Sequence, residues 1–229
     1  MPATAPFETL TAEYDAWFET NRDAYRAELA ALEQVLSEDT PHVTSETDPA
    51  DPTTLEVGVG TGRFADPLEI PVGIDPARNP LLEARDRGVD PVRGVAERLP
   101  LCDDAFDRIL FVTVWCFLDD IEDTLGETRR VLAADGELVI AFLDRSSPLG
   151  QVYQENKDEG PFYADAQFVT GEEVCGALEN AEFVVRERVQ TVFDESVEEP
   201  TETELHGETE RVRDGHGDGL FGVVRATLE

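Results

Sequence analysis

The sequence is poor in basic residues and contains almost no lysine. Lys157 is the only lysine, whereas aspartate and glutamate together number 51 and the formal net charge is -33. Proteins that bind nucleic acids normally neutralise phosphates with lysine and arginine, so we expect no nucleic-acid partner and no RNA substrate. Salt at molar concentration shortens the screening length to about 3 Å and cancels most of the self-repulsion of such a chain. The composition therefore favours a halophilic protein.

The sequence also lacks a long hydrophobic run and any cluster of cysteine or histidine. Its longest apolar run, "ILFVTVWCFL", is about half the length that a bilayer-spanning helix needs. The first residues, "MPATAPFETL", have neither the basic region nor the apolar core of a signal peptide. We therefore expect a cytoplasmic protein with no membrane partner. The three cysteines and three histidines show no ligand spacing, so neither a disulfide framework nor a metal site is expected.

Apolar periodicity divides the chain into a helical start and an alternating α/β body. Residues 7–36 repeat apolar positions every three or four residues, as in a helix. Short apolar runs then alternate with helical patterns, which is typical of βαβ units around a buried parallel sheet. We predict seven strands, the last two at 183–193 and 220–228, and a short helix after Thr61. The prediction is one domain, 1–229, with an N-terminal helical lid at 1–40 and an active-site cap insertion at 145–170.

The stretch "LEVGVGTGRF" places three glycines directly after the first predicted strand. A strand, a glycine turn and a helix together present backbone N–H groups and a helix N-terminus to a ligand. The dinucleotide fingerprint G-x-G-x-x-G would need its third glycine at the position of Arg63. An NAD(P)-dependent oxidoreductase is therefore the weaker interpretation, and a turn that merely lets strand and helix pack is a further alternative.

Two acidic residues flank these glycines and narrow the choice of ligand. Glu56 precedes the glycines and suits a ligand that carries an ammonium group. Asp75 ends the second predicted strand, where a carboxylate can accept both ribose hydroxyls. The predicted ligand has a ribose and a positively charged amino-acid end but no pyrophosphate, a description that S-adenosylmethionine (SAM) fits.

Several segments together resemble one enzyme family. "LEVGVGTGRFA", "VGIDPA", "GVAERLPLCDDAFDRILFV", "VLAADGELVIAFLD" and "FETLTAEYDAWFE" are similar to motifs of the class I SAM-dependent methyltransferases, in the ubiquinone-biosynthesis-like (methyltransferase type 11) group. The resemblance implies a Rossmann-like, doubly wound α/β fold with a mostly parallel sheet in the order 3-2-1-4-5-7-6. It also implies SAM as cofactor, S-adenosylhomocysteine (SAH) as product and these cofactor-binding residues: Tyr14, Glu56, Gly58, Val59, Gly60, Gly62, Asp75, Pro76, Ala96, Glu97 and Thr113.

The sequence departs from the family pattern at two places. Val95 stands where many members have an aspartate for the adenine amino group, so adenine contact is expected from the backbone of Ala96 and Glu97. Trp115 and Cys116 follow the fourth strand where many relatives place a histidine, so no histidine base is expected there.

The remaining candidates concern the methyl acceptor. Asp144 and Asp119 are candidate general bases, although Asp144 could instead cap the turn "RSSP". The predicted substrate-binding residues are Trp17, Trp115, Lys157 and Tyr163, for which core packing or a solvated surface is the alternative.

The function predicted from the sequence is in-line transfer of a methyl group from SAM to a small molecule beneath a closing lid. A non-catalytic SAM-binding regulatory module is a second alternative. The sequence leaves the acceptor and the oligomeric state open.

Overall fold

The computed structural model describes residues 5–37, 53–191 and 212–229, which form one β-sheet with helices on both faces. The helices are α1 (Ala5–Thr9), α2 (Thr11–Thr20), α3 (Arg22–Ser37), α4 (Arg78–Asp86), α5 (Ile121–Val131), α6 (Pro148–Asn156) and α7 (Gly171–Asn180). The strands are β1 (Thr54–Val57), β2 (Val72–Asp75), β3 (Asp90–Arg93), β4 (Phe106–Val112), β5 (Leu132–Leu143), β6 (Phe183–Thr191), β7 (Val212–Asp214) and β8 (Phe221–Leu228). Short 3-10 turns occupy Trp115–Phe117 and Lys157–Glu159.

The eight strands are arranged in the order β3-β2-β1-β4-β5-β8-β6-β7. Pairing is parallel from β3 to β5, whereas β8, β6 and β7 pair antiparallel. The predicted sheet of seven strands is corrected by β7, a short strand between the last two predicted strands. β7 hydrogen-bonds to β6 and so satisfies backbone groups that an edge strand would leave unpaired. The other strands follow the predicted order.

The two faces of the sheet bury separate hydrophobic layers. Along β4, Ile109 and Phe111 face the layer that includes residues of α5 and α7. Leu110 and Val112 face the opposite layer, which includes residues of α3 and α4. A strand covered on both faces needs apolar side chains at successive positions, which explains the continuous apolar run of β4.

The N-terminal segment forms three helices instead of the single predicted one. The helix α2 ends where the backbone N–H and the Nδ2 of Asn21 both donate to the carbonyl of Trp17, at 2.8 and 2.9 Å. The helix α3 then packs against β6 and β8, with Ala31 and Leu32 fully buried. The part of the predicted lid that α3 occupies is therefore a core helix.

The predicted helix after Thr61 is also corrected. Residues 61–69 form successive turns. Pro67 has no N–H to donate to the carbonyl of Arg63, and that carbonyl instead accepts a hydrogen bond from the Tyr25 hydroxyl. The missing donor prevents the regular hydrogen bonding of an α-helix at this point.

Thr170 and Glu173 form a capping box at the start of α7, where the side chain of each accepts a hydrogen bond from the backbone N–H of the other. No helix within the described ranges is both long enough and apolar enough to cross a membrane.

Candidate functional site

The glycine turn lies at the carboxyl end of β1 and forms part of the wall of a cavity. Gly58 and Gly60 have φ angles of +79° and +52°, in the region that side-chain-bearing residues rarely adopt. A Cβ on Gly58 would lie 2.5 Å from Val114 Cγ2, so this glycine allows the turn to pack against the end of β4. A Cβ on Gly60 would meet only Tyr14 Cε1, at 3.7 Å. Gly60 therefore presents bare backbone to the cavity.

This cavity, which we call the cofactor cavity, runs along the carboxyl ends of β1, β2 and β4. Its wall contains most of the residues predicted to bind SAM, together with aromatic residues from outside the strands. The lining residues are Phe7, Tyr14, Val57, Gly58, Gly60, Ile74, Asp75, Pro76, Pro80, Gly94, Val95, Ala96, Glu97, Val112, Thr113, Val114, Phe117, Leu118 and Tyr163.

The carboxylate of Asp75 is held in one orientation at the end of β2. Its Oδ2 accepts the N–H of Gly60 at 3.0 Å, and its Oδ1 accepts the N–H of Ala77 at 2.8 Å. Each oxygen keeps a second lone pair, so the pair of oxygens can accept two neighbouring hydroxyls. Burial raises the pKa of this carboxyl to about 6, against the lowering effect of the two backbone N–H groups. Asp75 is thus mostly ionised at neutral pH.

Glu56 lies just behind the glycine turn and is only 1% exposed. Its Oε2 has no hydrogen-bond partner among the described residues. Burial, and then the negative charge of Asp75, raise the pKa of Glu56 well above its usual range. A buried polar atom without a partner is unfavourable, and a nearby ammonium group would relieve both effects. Glu56 and Asp75 therefore fit a ligand such as SAM, which is cationic at one end and carries a ribose.

Gly62 and Val59, two further predicted cofactor residues, are placed differently. Val59 is buried, and its N–H donates to the carbonyl of Ile74 at 3.0 Å. A Cβ on Gly62 would lie 3.1 Å from the Cα of Ala84 in α4. Both residues therefore shape the turn and its packing rather than the cavity surface.

At the other end of the cofactor cavity, Ala96 and Glu97 line the wall as predicted for an adenine site. The Glu97 carboxylate accepts the backbone N–H of Asp119 at 3.0 Å, which fixes the loop that follows β4. Asp119 itself is exposed and lines neither of the two cavities described here.

A second cavity of about 280 Å³ adjoins the first, and Thr113 and Tyr163 line both. We call it the acceptor cavity. Its wall is largely apolar and aromatic, and its residues come from α2, α3, α6 and the strand ends. The lining residues are Trp17, Phe18, Asn21, Asp23, Ala24, Glu28, Phe64, Thr113, Leu143, Leu149, Tyr153, Tyr163 and Leu220.

Thr113 lies at the boundary between the two cavities with a φ of +55°. Positive φ is strained for a β-branched residue, and such strain is commonly found at functional sites. Its N–H donates to the carbonyl of Ala141 at 2.9 Å, which holds the strained position in place.

Aromatic rings from the N-terminal helices and the cap insertion meet above the cofactor cavity. Phe7 contacts Phe117 and Phe162 with centroid distances of 5.4 and 5.5 Å, and Tyr14 lies 5.6 Å from Phe162. Tyr163 stacks on Phe117 at 6.2 Å. The N-terminal helices and the cap insertion therefore contact each other through aromatic side chains.

Ion pairs fasten α2 to the glycine turn. Arg63 Nε donates to Asp15 Oδ1 at 2.8 Å, and Arg87 Nη2 lies 2.9 Å from Asp15 Oδ2. Arg63 also pairs with Glu19 at 2.8 Å. Arg63, which takes the place of the third dinucleotide glycine, thus connects the turn to the helix that covers the site.

Three further predicted residues, each from the acceptor side of the prediction, also lie away from both cavities. Trp115 is buried on the opposite face of the sheet, where it packs edge-on against Phe111 at 5.6 Å. Lys157 Nζ donates to the carbonyl of Ala166 at 2.9 Å and so fixes the cap insertion. Asp144 is fully buried and accepts the N–H and hydroxyl of Ser146 at 2.8 and 2.5 Å. These contacts favour the turn-capping alternative for Asp144.

Sequence reasoning missed Glu28, Phe7 and Phe117. Glu28 interrupts the apolar face of α3, since Tyr25 precedes it by three residues and Leu32 follows it by four. A carboxylate on an apolar helical face is a signal that could have drawn attention to it.

Comparisons with known proteins agree with this geometry. Residues 55–140 match the family described as a methyltransferase domain. The chain is 33% identical to an uncharacterized protein of Methanocaldococcus jannaschii over 96% of its length and 97% of that protein. It is 38% identical to an uncharacterized protein of Mycobacterium tuberculosis, of which the alignment covers only 62%.

A solved structure from Thermotoga maritima is described as a SAM-dependent methyltransferase, possible histamine N-methyltransferase. It shares 37% identity with a TM-score of 0.83, and the alignment covers 99% of this chain and 100% of that one. The chain belongs to the class I SAM-dependent methyltransferases, whose cofactor is SAM and whose product is SAH.

Proposed function

We propose that this protein transfers the methyl group of SAM to a small molecule held in the acceptor cavity. The observation that carries the proposal is the contact between the two cavities at Thr113 and Tyr163. A ligand whose ribose lies on Asp75 and whose ammonium lies near Glu56 would place its central part close to that boundary. An acceptor in the second cavity could then approach the methyl group directly.

SAM supplies a methyl group that is already activated by its attachment to a positively charged sulfur. The protein therefore has to orient the acceptor in line with the bond that breaks and to exclude water. The aromatic contacts among Phe7, Tyr14 and Phe162 would close the site, and they involve the segments best placed to move. Opening and closing of α1 and α2 is thus the proposed lid motion.

The acidic character of the cavities supports a cationic reactant. Burial is the main cause that raises the pKa of Tyr14, and the charges of Glu56, Asp75, Glu28 and Asp15 add to it. The same negative charges would favour a positively charged ligand in this region. The Thermotoga maritima relative, described as a possible histamine N-methyltransferase, makes small amines the first acceptors to test.

The experiment compares ligand binding and turnover. Calorimetry should detect SAH binding and no binding of NAD, because Arg63 replaces the glycine that a pyrophosphate needs. Incubation with methyl-labelled SAM and a desalted metabolite extract should then place the label in a small molecule. Binding of SAH without any turnover would favour the regulatory module, and label in RNA would contradict a small-molecule acceptor.

We further propose that the acidic, lysine-poor composition is an adaptation to high salt. At low ionic strength, self-repulsion among the 51 acidic side chains should destabilise the fold. The melting temperature should therefore rise steadily between about 0.1 and 2 M KCl, because the screening length shortens as salt is added. A melting temperature that does not respond to salt would contradict this proposal.

A further inference from the structure

Glu28 is a buried carboxyl group in an otherwise apolar part of the acceptor cavity. It is 6% exposed, and no hydrogen-bond or ion-pair partner is found for it among the described residues. An unpaired buried carboxyl destabilises a fold, and packing alone would be served better by an apolar residue. Its position therefore suggests a role toward a ligand.

The surroundings of Glu28 provide no compensating positive charge. The described residues that line the acceptor cavity include no lysine, arginine or histidine. Arg63, whose guanidinium lies 5.6 Å from the Phe18 ring, is already paired with Asp15 and Glu19. A cationic ligand beside the aromatic wall would therefore meet no positively charged side chain among the described lining residues.

The other titratable groups near Glu28 are tyrosines and one exposed aspartate. Burial is the main cause that raises the pKa of Tyr153 and Tyr163, and the Glu28 charge adds to both. Burial also raises the pKa of Tyr14, and the Glu28 charge is among the charges that add to it. Asp23 lines the cavity at its exposed side. All of these groups are neutral or negative at neutral pH, so each favours a cationic ligand.

We propose that the acceptor is an amine with an apolar or aromatic body, bound as its ammonium form by the Glu28 carboxylate. The inference rests on the proposed methyl transfer and names its substrate class. The aromatic wall formed by Trp17, Phe18 and Phe64 would hold the body of the amine, and aromatic faces also attract an ammonium group.

The same carboxylate would prepare the amine for reaction. An ammonium nitrogen has no lone pair, so it must first lose a proton, which the Glu28 carboxylate accepts. The nitrogen lone pair then forms the bond to the methyl carbon as the bond from that carbon to sulfur breaks, and the sulfur keeps the electron pair. The methylated nitrogen carries the positive charge, and Glu28 releases its proton to solvent after the product leaves. Burial raises the pKa of Glu28 to about 8, so the carboxyl is largely protonated in the empty cavity, and an arriving ammonium group has to stabilise its ionised form before the proton transfer.

The test compares amines with uncharged analogues of the same shape. Histamine, phenethylamine and tryptamine are titrated by calorimetry into the SAH-bound protein, and each is paired with the alcohol that replaces its amino group. At least one amine should bind about 10-fold or more tightly than its alcohol, because a charge-assisted hydrogen bond is lost in the alcohol. The Glu28→Gln variant should lose that preference while its affinity for the alcohol stays within about 2-fold.

Control variants separate this inference from the proposed function. Glu33→Gln, on the exposed face of the same helix, should leave the amine preference unchanged. Both variants should bind SAH like the wild type, since neither residue lines the cofactor cavity. With any amine that is methylated, Glu28→Gln should also lose the pH dependence of kcat/KM that an ionising base produces.

An amine preference that survives Glu28→Gln, or no preference for any of the three amines, would overturn the inference. Methylation of an alcohol, thiol or carboxylate from the metabolite extract, with no amine product, would also overturn it and leave methyl transfer itself intact. Failure to bind SAH would instead refute the proposed function.

Discussion

The cofactor cavity and the acceptor cavity share a boundary but are built from different parts of the chain. The cofactor cavity is formed mainly by strand ends and a glycine turn, and Asp75 and Glu97 are the carboxyl-bearing residues of its lining. The acceptor cavity is formed by side chains from α2, α3 and the cap insertion, with Glu28 as its buried carboxyl. Under the proposed function, cofactor binding would be fixed by the core of the fold, whereas acceptor choice would depend on the helices and the cap insertion around it.

The largest effect should come from Gly58→Val, which places a side chain on the glycine turn of the cofactor cavity. Its Cβ would lie 2.5 Å from Val114 Cγ2, at a φ of +79°. We expect a loss of roughly 3 kcal/mol or more in unfolding free energy and no measurable SAH binding. Urea unfolding and calorimetry measure both. Gly126→Ala, in the open middle of α5, is the control and should not destabilise the protein.

The effect of Glu28→Gln on the free energy of unfolding should depend on pH, and this dependence tests whether the acceptor cavity contains a buried carboxyl. An acid whose folded-state pKa is raised loses stability as pH increases from its unfolded pKa to its folded pKa. The pKa of Glu28 is raised by burial from 4.5 to about 8. Glu28→Gln should therefore be more stable than wild type by about 3–5 kcal/mol at pH 9. The difference should shrink toward zero at pH 4, as measured by urea unfolding at several pH values.

The matched variant Glu33→Gln should show no such trend, because Glu33 is exposed on the same helix. Equal stability of wild type and Glu28→Gln across this pH range would mean that the Glu28 carboxyl is solvated. Glu28 would then not be a buried carboxyl of the acceptor cavity.

Asp75→Ala should lower the affinity of the cofactor cavity for SAH without changing the acceptor cavity. Loss of two charge-assisted hydrogen bonds to the ribose should cost roughly 2–4 kcal/mol of SAH binding. Because burial raises the pKa of Asp75 to about 6, wild-type affinity for SAH should fall as pH decreases below that value. Calorimetry between pH 5 and 8 measures both effects. Asp86→Ala, on the exposed side of α4, should bind SAH normally, and unchanged affinity in Asp75→Ala would exclude the ribose role.

The smallest effect should come from Asp15→Asn, which loosens the attachment of α2 over both cavities. Asp15 pairs with Arg63 and Arg87 and is only partly exposed. We expect a loss of about 1 kcal/mol and a faster exchange of α2 amide hydrogens, with little change in core amides. Hydrogen exchange followed by mass spectrometry tests this, with Glu13→Gln on the same helix as control. Unaltered exchange would show that the ion pairs do not hold the lid.

The cofactor cavity could be predicted from the sequence because its determinants are local. Glu56, Gly58 and Gly60 are adjacent in the chain, and Asp75 ends the next strand, so spacing alone brings them to one edge of the sheet. The alternation of apolar runs and helices predicted a parallel sheet, whereas the order of the main strands was implied by the resemblance to the class I methyltransferases. The short strand β7 could not be foreseen, because its pairing with β6 depends on tertiary contact rather than on a pattern of its own.

The residues of the acceptor cavity were harder to predict from the sequence, because they are distant in the chain and come together only in the folded protein. Trp17 and Tyr163, which were predicted to bind substrate, line the acceptor cavity, whereas Trp115 faces the opposite side of the sheet. Periodicity could not distinguish a core helix from a lid helix, so α3 was assigned to the lid although it packs on β6 and β8. Glu28 was missed for the same reason, since its burial follows from that packing.

The most direct test is a crystal structure of the protein with bound SAH. The account predicts the ribose hydroxyls on Asp75, the ammonium group near Glu56 and the sulfur facing the boundary at Thr113 and Tyr163, with the acceptor cavity open beside it. SAH bound with its sulfur turned away from Thr113 and Tyr163, or lying within the acceptor cavity itself, would contradict the central claim that methyl transfer occurs between these two cavities.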